Sequence, residues 1–221
     1  MRVSDLSSPY RNKSYIQNEF RCDVKTIEML CNKLTTGATN ALFEKCESNA
    51  EGTMRLLTGS SVNLNGEIVE DQLSPVTIAE GKSMQRFLLQ EGDVVLLAKG
   101  NSIRAGYVTE CIAKLDVIAS ANFILLRPNN NELLGEVLVA YFNSPVGQSM
   151  LDAASTGAAI KNINLSNIRK MEIKLPTLSK QHEIAELFHT SNQAYNATIS
   201  LAEQQRKVAM ACISQLIKGA A

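Results

Sequence analysis

Three groups of residues have types and spacings that could do chemistry. His182, Glu186 and His189 stand at i, i+4 and i+7, so a helix would gather two imidazoles and a carboxylate on one face, a plausible donor set for a metal. The metalloprotease pattern needs a second His at i+4, where this chain has Glu186, and the plainer reading is one polar flank of a long helix. Glu172-Ile173-Lys174 has the ExK form of Mg²⁺ nucleases, which need carboxylates and a lysine converging on one site. No Pro-Asp pair precedes it, and an alternating strand yields the same triplet on a solvated face. Asn143-Ser144-Pro145-Val146 is the nearest approach to the motif that holds a target amino group in a methyltransferase, but it lacks the second proline and the stacking aromatic. It reads as a helix boundary. There is no phosphate-cradling Walker loop and no nucleophile elbow. Both histidines fall in the C-terminal stretch, which excludes imidazole acid–base work elsewhere. These absences point to a binding module that is not an enzyme and requires no metal and no cofactor.

Groups suited to nucleic acid are easier to find. Phosphates are met by Lys and Arg on loops, and base edges by Arg, Lys, Asn or Gln. Lys99-Gly100-Asn101-Ser102-Ile103-Arg104 offers both types beside glycines that let a backbone approach closely. Its candidates are Lys99, Asn101 and Arg104. In residues 156–162 small side chains could admit a phosphate, with Lys161 as the charge and Asn162 as a donor. Lys82, Gln85 and Arg86 form a third, sparser group. Each loop also fits a solvated turn with ordinary surface charge.

The elements that must hold these groups follow from composition and pattern. In 221 residues, 45% apolar and 20% charged, there is room for one domain and an appended element. The 22 basic and 22 acidic side chains cancel, which argues against an indiscriminate polycationic binder but leaves room for a local basic patch. Five cysteines, an odd number with no CxxC pair, read as free thiols in a reducing compartment. The polar first 17 residues do not form a signal peptide, and no apolar run approaches a membrane span of roughly 20 residues. A soluble, cytoplasmic protein is expected.

Along the chain, residues 1–20 read as an arm, and residues 24–33 as a short helix. Residues 62–69 read as a hairpin turning on Asn65-Gly66, a pair that tolerates positive φ. Val94 to Ala98 and Phe123 to Leu126 suit buried strands, with a loop over residues 99–106. An asparagine cluster starts a helix at residues 129–141, and Pro145 opens the next, towards Ala154. Met171, Ile173 and Leu175 alternate with Lys170, Glu172 and Lys174 as a half-buried strand ending at Pro176.

From Ser179 the pattern changes. Ile184, Phe188, Ser191, Tyr195, Thr198, Ala202, Gln205, Ala209, Cys212 and Leu216 recur by fours and threes, with no Pro or Gly before Gly219. A helix of about 38 residues would be about 57 Å long, more than so small a domain can cover. It is expected to project and to take a partner helix. The predicted architecture is therefore α/β (α+β): a globular domain of mixed strands and helices over residues 1–176, then a coiled-coil-type helix over 177–221.

Several segments, read in order, resemble type I restriction–modification specificity subunits. They are Leu89-Gln90-Glu91-Gly92-Asp93-Val94-Val95-Leu96 with Gly100 and Gly106; residues 119–128; residues 138–144; residues 157–162; and Ile168 to Pro176 followed by Leu178 and Gln181-His182-Glu183-Ile184. The family's usual Glu-Gln pair is Lys180-Gln181 here. The resemblance, over about residues 24–218, implies a target-recognition domain that reads one half of a bipartite double-stranded DNA sequence. It also implies a spacer helix that docks methyltransferase subunits and, through them, the restriction subunit. One domain and one helix are half of the usual set, so a second copy would pair through Ile184, Phe188, Tyr195, Ala202, Ala209 and Leu216 as a homodimer. The alternative is a coiled-coil interaction scaffold that binds no DNA, favoured by the zero net charge.

Overall fold

In the computed structural model, residues 23–44, 54–157 and 160–219 are described. The expected N-terminal arm, Cys22, Cys46 and the middle of the 156–162 loop lie outside them. The centre is a four-stranded antiparallel sheet, β2-β9-β5-β7, formed by β2 (Cys31–Thr36), β5 (Val94–Leu97), β7 (Arg104–Tyr107) and β9 (Phe123–Pro128). β5 and β9 are inner strands packed on both faces, which is why they read as unbroken apolar runs rather than alternating ones. On one face Val94, Leu96, Ile124 and Leu126 join a core with helices α3 (Gly135–Asn143), α4 (Pro145–Ala154) and α5 (Leu165–Lys170). On the other, Val95, Leu97, Phe123 and Leu125 pack on Leu57, Val108 and Val117. These belong to a layer built on a second sheet, β4-β3-β8, of β3 (Met54–Leu57), β4 (Ser74–Val76) and β8 (Val117–Ala119), with the single turn α2 (Glu110–Ala113) beside it.

Residues 24–33 are not a helix. β1 (Asp23–Thr26) pairs antiparallel with β11 (Glu172–Leu175), the single turn α1 (Ile27–Leu30) bends the chain, and β2 continues along β9. Four helical residues suffice to bury Ile27 and Leu30, and the flanking backbone finds its partners in the ladders. The 129–141 helix starts late, at Gly135. Asn129 first closes a turn, its carbonyl accepting from Glu132 and Leu133 N–H. The hairpin turn is also different. Only Gly66 has positive φ (+81°), whereas a two-residue type I′ turn needs it at both central positions. Gly66 N–H donates to Asn63 O, and the Asn63 carboxamide accepts from Asn65 and Glu67 N–H, so Asn63 organises the loop. The 99–106 loop shortens to residues 101–103, because Arg104 already pairs with Leu97.

β11 alternates as expected, with Ile173 and Leu175 buried and Glu172 and Lys174 exposed. The last helix, α6 (Leu178–Gly219), has 42 residues, about 63 Å at 1.5 Å per residue. Among the described residues, no helix is long and apolar enough to cross a membrane.

Candidate nucleic-acid interface

The first two candidate loops, distant in sequence, meet in the fold. β6 (Lys99–Gly100) and β10 (Lys161–Asn162) form an antiparallel ladder, with Lys161 opposite Gly100 and Asn162 opposite Lys99. The ladder continues from the core: Ile163 N–H donates to Ala98 O, so β10 is tied to the strand that enters the sheet. Thr156 and Asn162 exchange backbone hydrogen bonds across the neck of the second loop, where Gly157 has φ +97°. A Cβ there would lie 2.5 Å from Ile160 O, so glycine is required. Lys99, Asn101 and Ser102 are exposed along this edge, and Asn122 completes a shallow recess with Gly59 and Arg104.

Not every cation there is available. Lys161 Nζ is paired with the Asp152 carboxylate. Arg104 is half-buried: Nε donates to Val62 O at 2.7 Å, Nη1 to Ser102 Oγ at 2.5 Å, and Nη2 to Gly59 O. Burial pulls its pKa down. These contacts fasten residues 59–62 against β7, the work of a positioning side chain. Asn162 Oδ1 is buried without a partner among the described residues.

The third group does not join the ladder. Lys82, Gln85 and Arg86 are exposed on another segment, where Arg86 lies 4.4 Å above the Phe87 ring and its carbonyl accepts from Lys33 Nζ at 2.5 Å. Lys33 is opposite Arg127, near the end where β9 pairs with the start of β5, whereas Lys99 follows the far end of β5.

The long helix divides in two. Its first half is seated on the domain by Gln181, Ala185 and Asn192, which are buried, and by Ile184 and Phe188, which pack against the main core. Gln181 Oε1 accepts from Leu134 N–H at 2.9 Å, and Nε2 donates to Glu132 O at 2.8 Å and Pro176 O at 3.0 Å. Asn192 donates to Asn65 O at 3.3 Å, and Asn196 Nδ2 to the Glu67 carboxylate at 3.0 Å. Phe188 meets Tyr107 edge-on, with centroids 6.5 Å apart. His189 Nε2 is 3.2 Å from Glu136 Oε1, while His182 and Glu186 are exposed. Burial, and then the Glu136 carboxylate, push the Tyr107 phenol's pKa upward. Beyond Asn196 every described residue to Gly219 is exposed, including Ala202, Ala209, Ile213 and Leu216. Tyr195, at 51% exposure, lies at the boundary.

Sequence reasoning missed the side chains that do the fastening. Asn143 ends α3 with its carboxamide on β7: Oδ1 accepts from Ala105 N–H and Nδ2 donates to Ala105 O, both at 2.9 Å. Asp93, fully buried, takes two hydrogen bonds from Arg127, at 2.7 and 2.8 Å. The available signal was the amide or acid itself at an otherwise apolar position, since buried polar groups must be paired.

Comparison with known proteins bears on this arrangement. The family model described as type I restriction modification DNA specificity domain matches residues 22–208. No curated protein matches. Among solved structures, the type I restriction–modification S subunit from M. genitalium is similar at TM-score 0.54 and 19% identity, over 85% of this chain and 44% of that one. A structure concerned with complex assembly and conformational transition of the type I R-M system gives 0.56 and 18%, over 84% and 46%. The HsdS subunit from Thermoanaerobacter tengcongensis gives 0.51 and 16%, over 84% and 46%. The chain therefore spans less than half the length of each, and at these identities the likeness is one of fold. The family match covers most of the sequence, and the protein belongs to the family of type I restriction modification DNA specificity domains.

Proposed function

We propose that this chain reads one half of a bipartite double-stranded DNA target in a type I restriction–modification system. The observation that carries this reading is the Lys99–Gly100/Lys161–Asn162 ladder. It unites two loops of basic and amide side chains in a two-stranded ladder beside the central sheet. Lys99 is exposed there for a phosphate contact that sets register, and the exposed Asn101 amide for a base edge. Residues 1–176 serve as the reading unit and 177–221 as the spacer. The chain is non-catalytic, needs no cofactor and works in the cytoplasm. Methyl transfer belongs to the modification subunit, which docks on the helix and recruits the restriction subunit.

The exposed second half of α6 supports pairing with a second copy, since Ile199, Leu201, Val208, Met210, Ile213, Leu216 and Ile217 are all at least 43% exposed. Two-fold pairing presents two identical readers and selects a palindromic, interrupted site. The test is selection from a randomised duplex library by the chain, alone and with its methyltransferase subunit, at two salt concentrations. Enrichment of a short sequence, weakening as salt rises, is expected. Without enrichment in any arm, only the helix has a function left, that of a protein-binding scaffold.

A further inference from the structure

A second cationic surface lies at the end of the sheet away from the ladder. On edge strand β2, Lys33 stands opposite Arg127 of β9. Its Nζ reaches 2.5 Å to the Arg86 carbonyl, which brings the Arg86 segment alongside. Arg86 is exposed and rests on the Phe87 ring, so its guanidinium is oriented without an acidic partner among the described residues. The carboxylate that acts on Lys33 is Asp93, which is fully buried and already held by two hydrogen bonds from Arg127. Burial and the Arg127 and Arg86 charges pull the Lys33 pKa down against the opposing pull of Asp93. An approaching anion would relieve this like-charge crowding. Lys82 and Gln85 are exposed on the Arg86 segment. A polar recess that includes Asn32, Arg127 and Asn129 to Asn131 continues the surface, with exposed Glu91 its acidic member.

We infer that Lys33, Arg86 and the Arg127 rim form a phosphodiester-backbone contact for duplex DNA, separate from the reading edge at Lys99 and Asn101. The inference rests on the DNA-reading proposal above. Cations on adjoining segments, continued by the neutral amides of the recess, suit the repeated phosphates of a backbone better than one compact anion. Lys33 and Arg86 position the duplex and carry no sequence information.

The test is fluorescence-anisotropy titration of the full chain against a duplex enriched in the selection and against a scrambled duplex, each over a range of salt. Wild type is compared with the double variant K33Q/R86Q and the charge-preserving K33R/R86K. Thermal melts exclude misfolding, and R86Q alone keeps the test open if the Lys33 change unfolds the chain. Neutralising two phosphate contacts should reduce the slope of log K against log[salt] by about two. The ratio of enriched to scrambled affinity should stay unchanged, and K33R/R86K should keep the wild-type slope. A folded K33Q/R86Q with the wild-type slope would overturn the inference and leave DNA reading intact. So would loss of methyltransferase-subunit binding at an unchanged slope, which would make this surface a protein contact. A wild-type chain that binds neither duplex overturns the reading and this inference together.

Discussion

Gln181 is the joint between helix and domain, and its replacement by Met, similar in volume but without donor or acceptor, probes that joint. The side chain has no solvent exposure and makes three hydrogen bonds, to Leu134 N, Glu132 O and Pro176 O. Methionine would strand one backbone donor and two carbonyls beneath the first turn of α6. A buried group left unpaired costs about 1–3 kcal/mol, and relaxation around a helix start recovers part of a threefold loss. The expected destabilisation is about 3 kcal/mol. It would be read as a lower urea midpoint at unchanged slope, with circular dichroism following both helix and sheet. Gln181→Glu should be no better, because a carboxylate facing two carbonyls has nothing to donate. A Gln181→Met chain within about 0.5 kcal/mol of wild type would refute the idea that this amide sets the helix on the domain.

Other outcomes follow from the same geometry. Arg104→Ala should lower stability by about 1–3 kcal/mol in urea unfolding, because its guanidinium serves the carbonyls of Gly59 and Val62. Lost DNA affinity with full stability would instead make it a base reader. Burial pushes the Cys31 thiol up to about 12 from 9.0. The folded state therefore holds its proton where the unfolded chain releases it, and stability falls as pH rises from about 9 towards 12. Comparing urea midpoints at pH 8 and 10, Cys31→Ala should lose less stability than wild type, by about 1.4 kcal/mol over that whole interval; equal losses would contradict this. Sedimentation should show a dimer for wild type and a monomer for Ile213→Glu/Leu216→Glu, and a wild-type monomer at high concentration would remove helix pairing.

The parts of this fold that could be read from sequence are those where one period dominates. β5 and β9 announced themselves as apolar runs because both their faces are buried, β11 by strict alternation, and α6 by an uninterrupted helical pattern. Residues 24–33 misled because β1, one helical turn and β2 each supply only a few residues, too few for either period to emerge. The ladder joining Lys99 to Asn162 was legible only as two separate loops, since nothing local encodes a pairing across sixty residues. Arg104 and Arg86 look alike as sequence. Only the fold separates a guanidinium satisfied by backbone carbonyls from one left facing solvent. The helical stripe likewise appeared as one surface, whereas Ile184 and Phe188 pack into the domain and Ala202, Ala209 and Leu216 are exposed.

The central claim is that the chain distinguishes one DNA sequence from another. Its most direct test is the ratio of dissociation constants for the library-enriched duplex and a scrambled duplex of equal composition, at one fixed salt concentration near physiological. A sequence reader predicts a ratio on the order of 10³. A ratio near one, with both affinities collapsing together as salt rises, would mean that the chain holds the backbone without reading it, and would contradict the account.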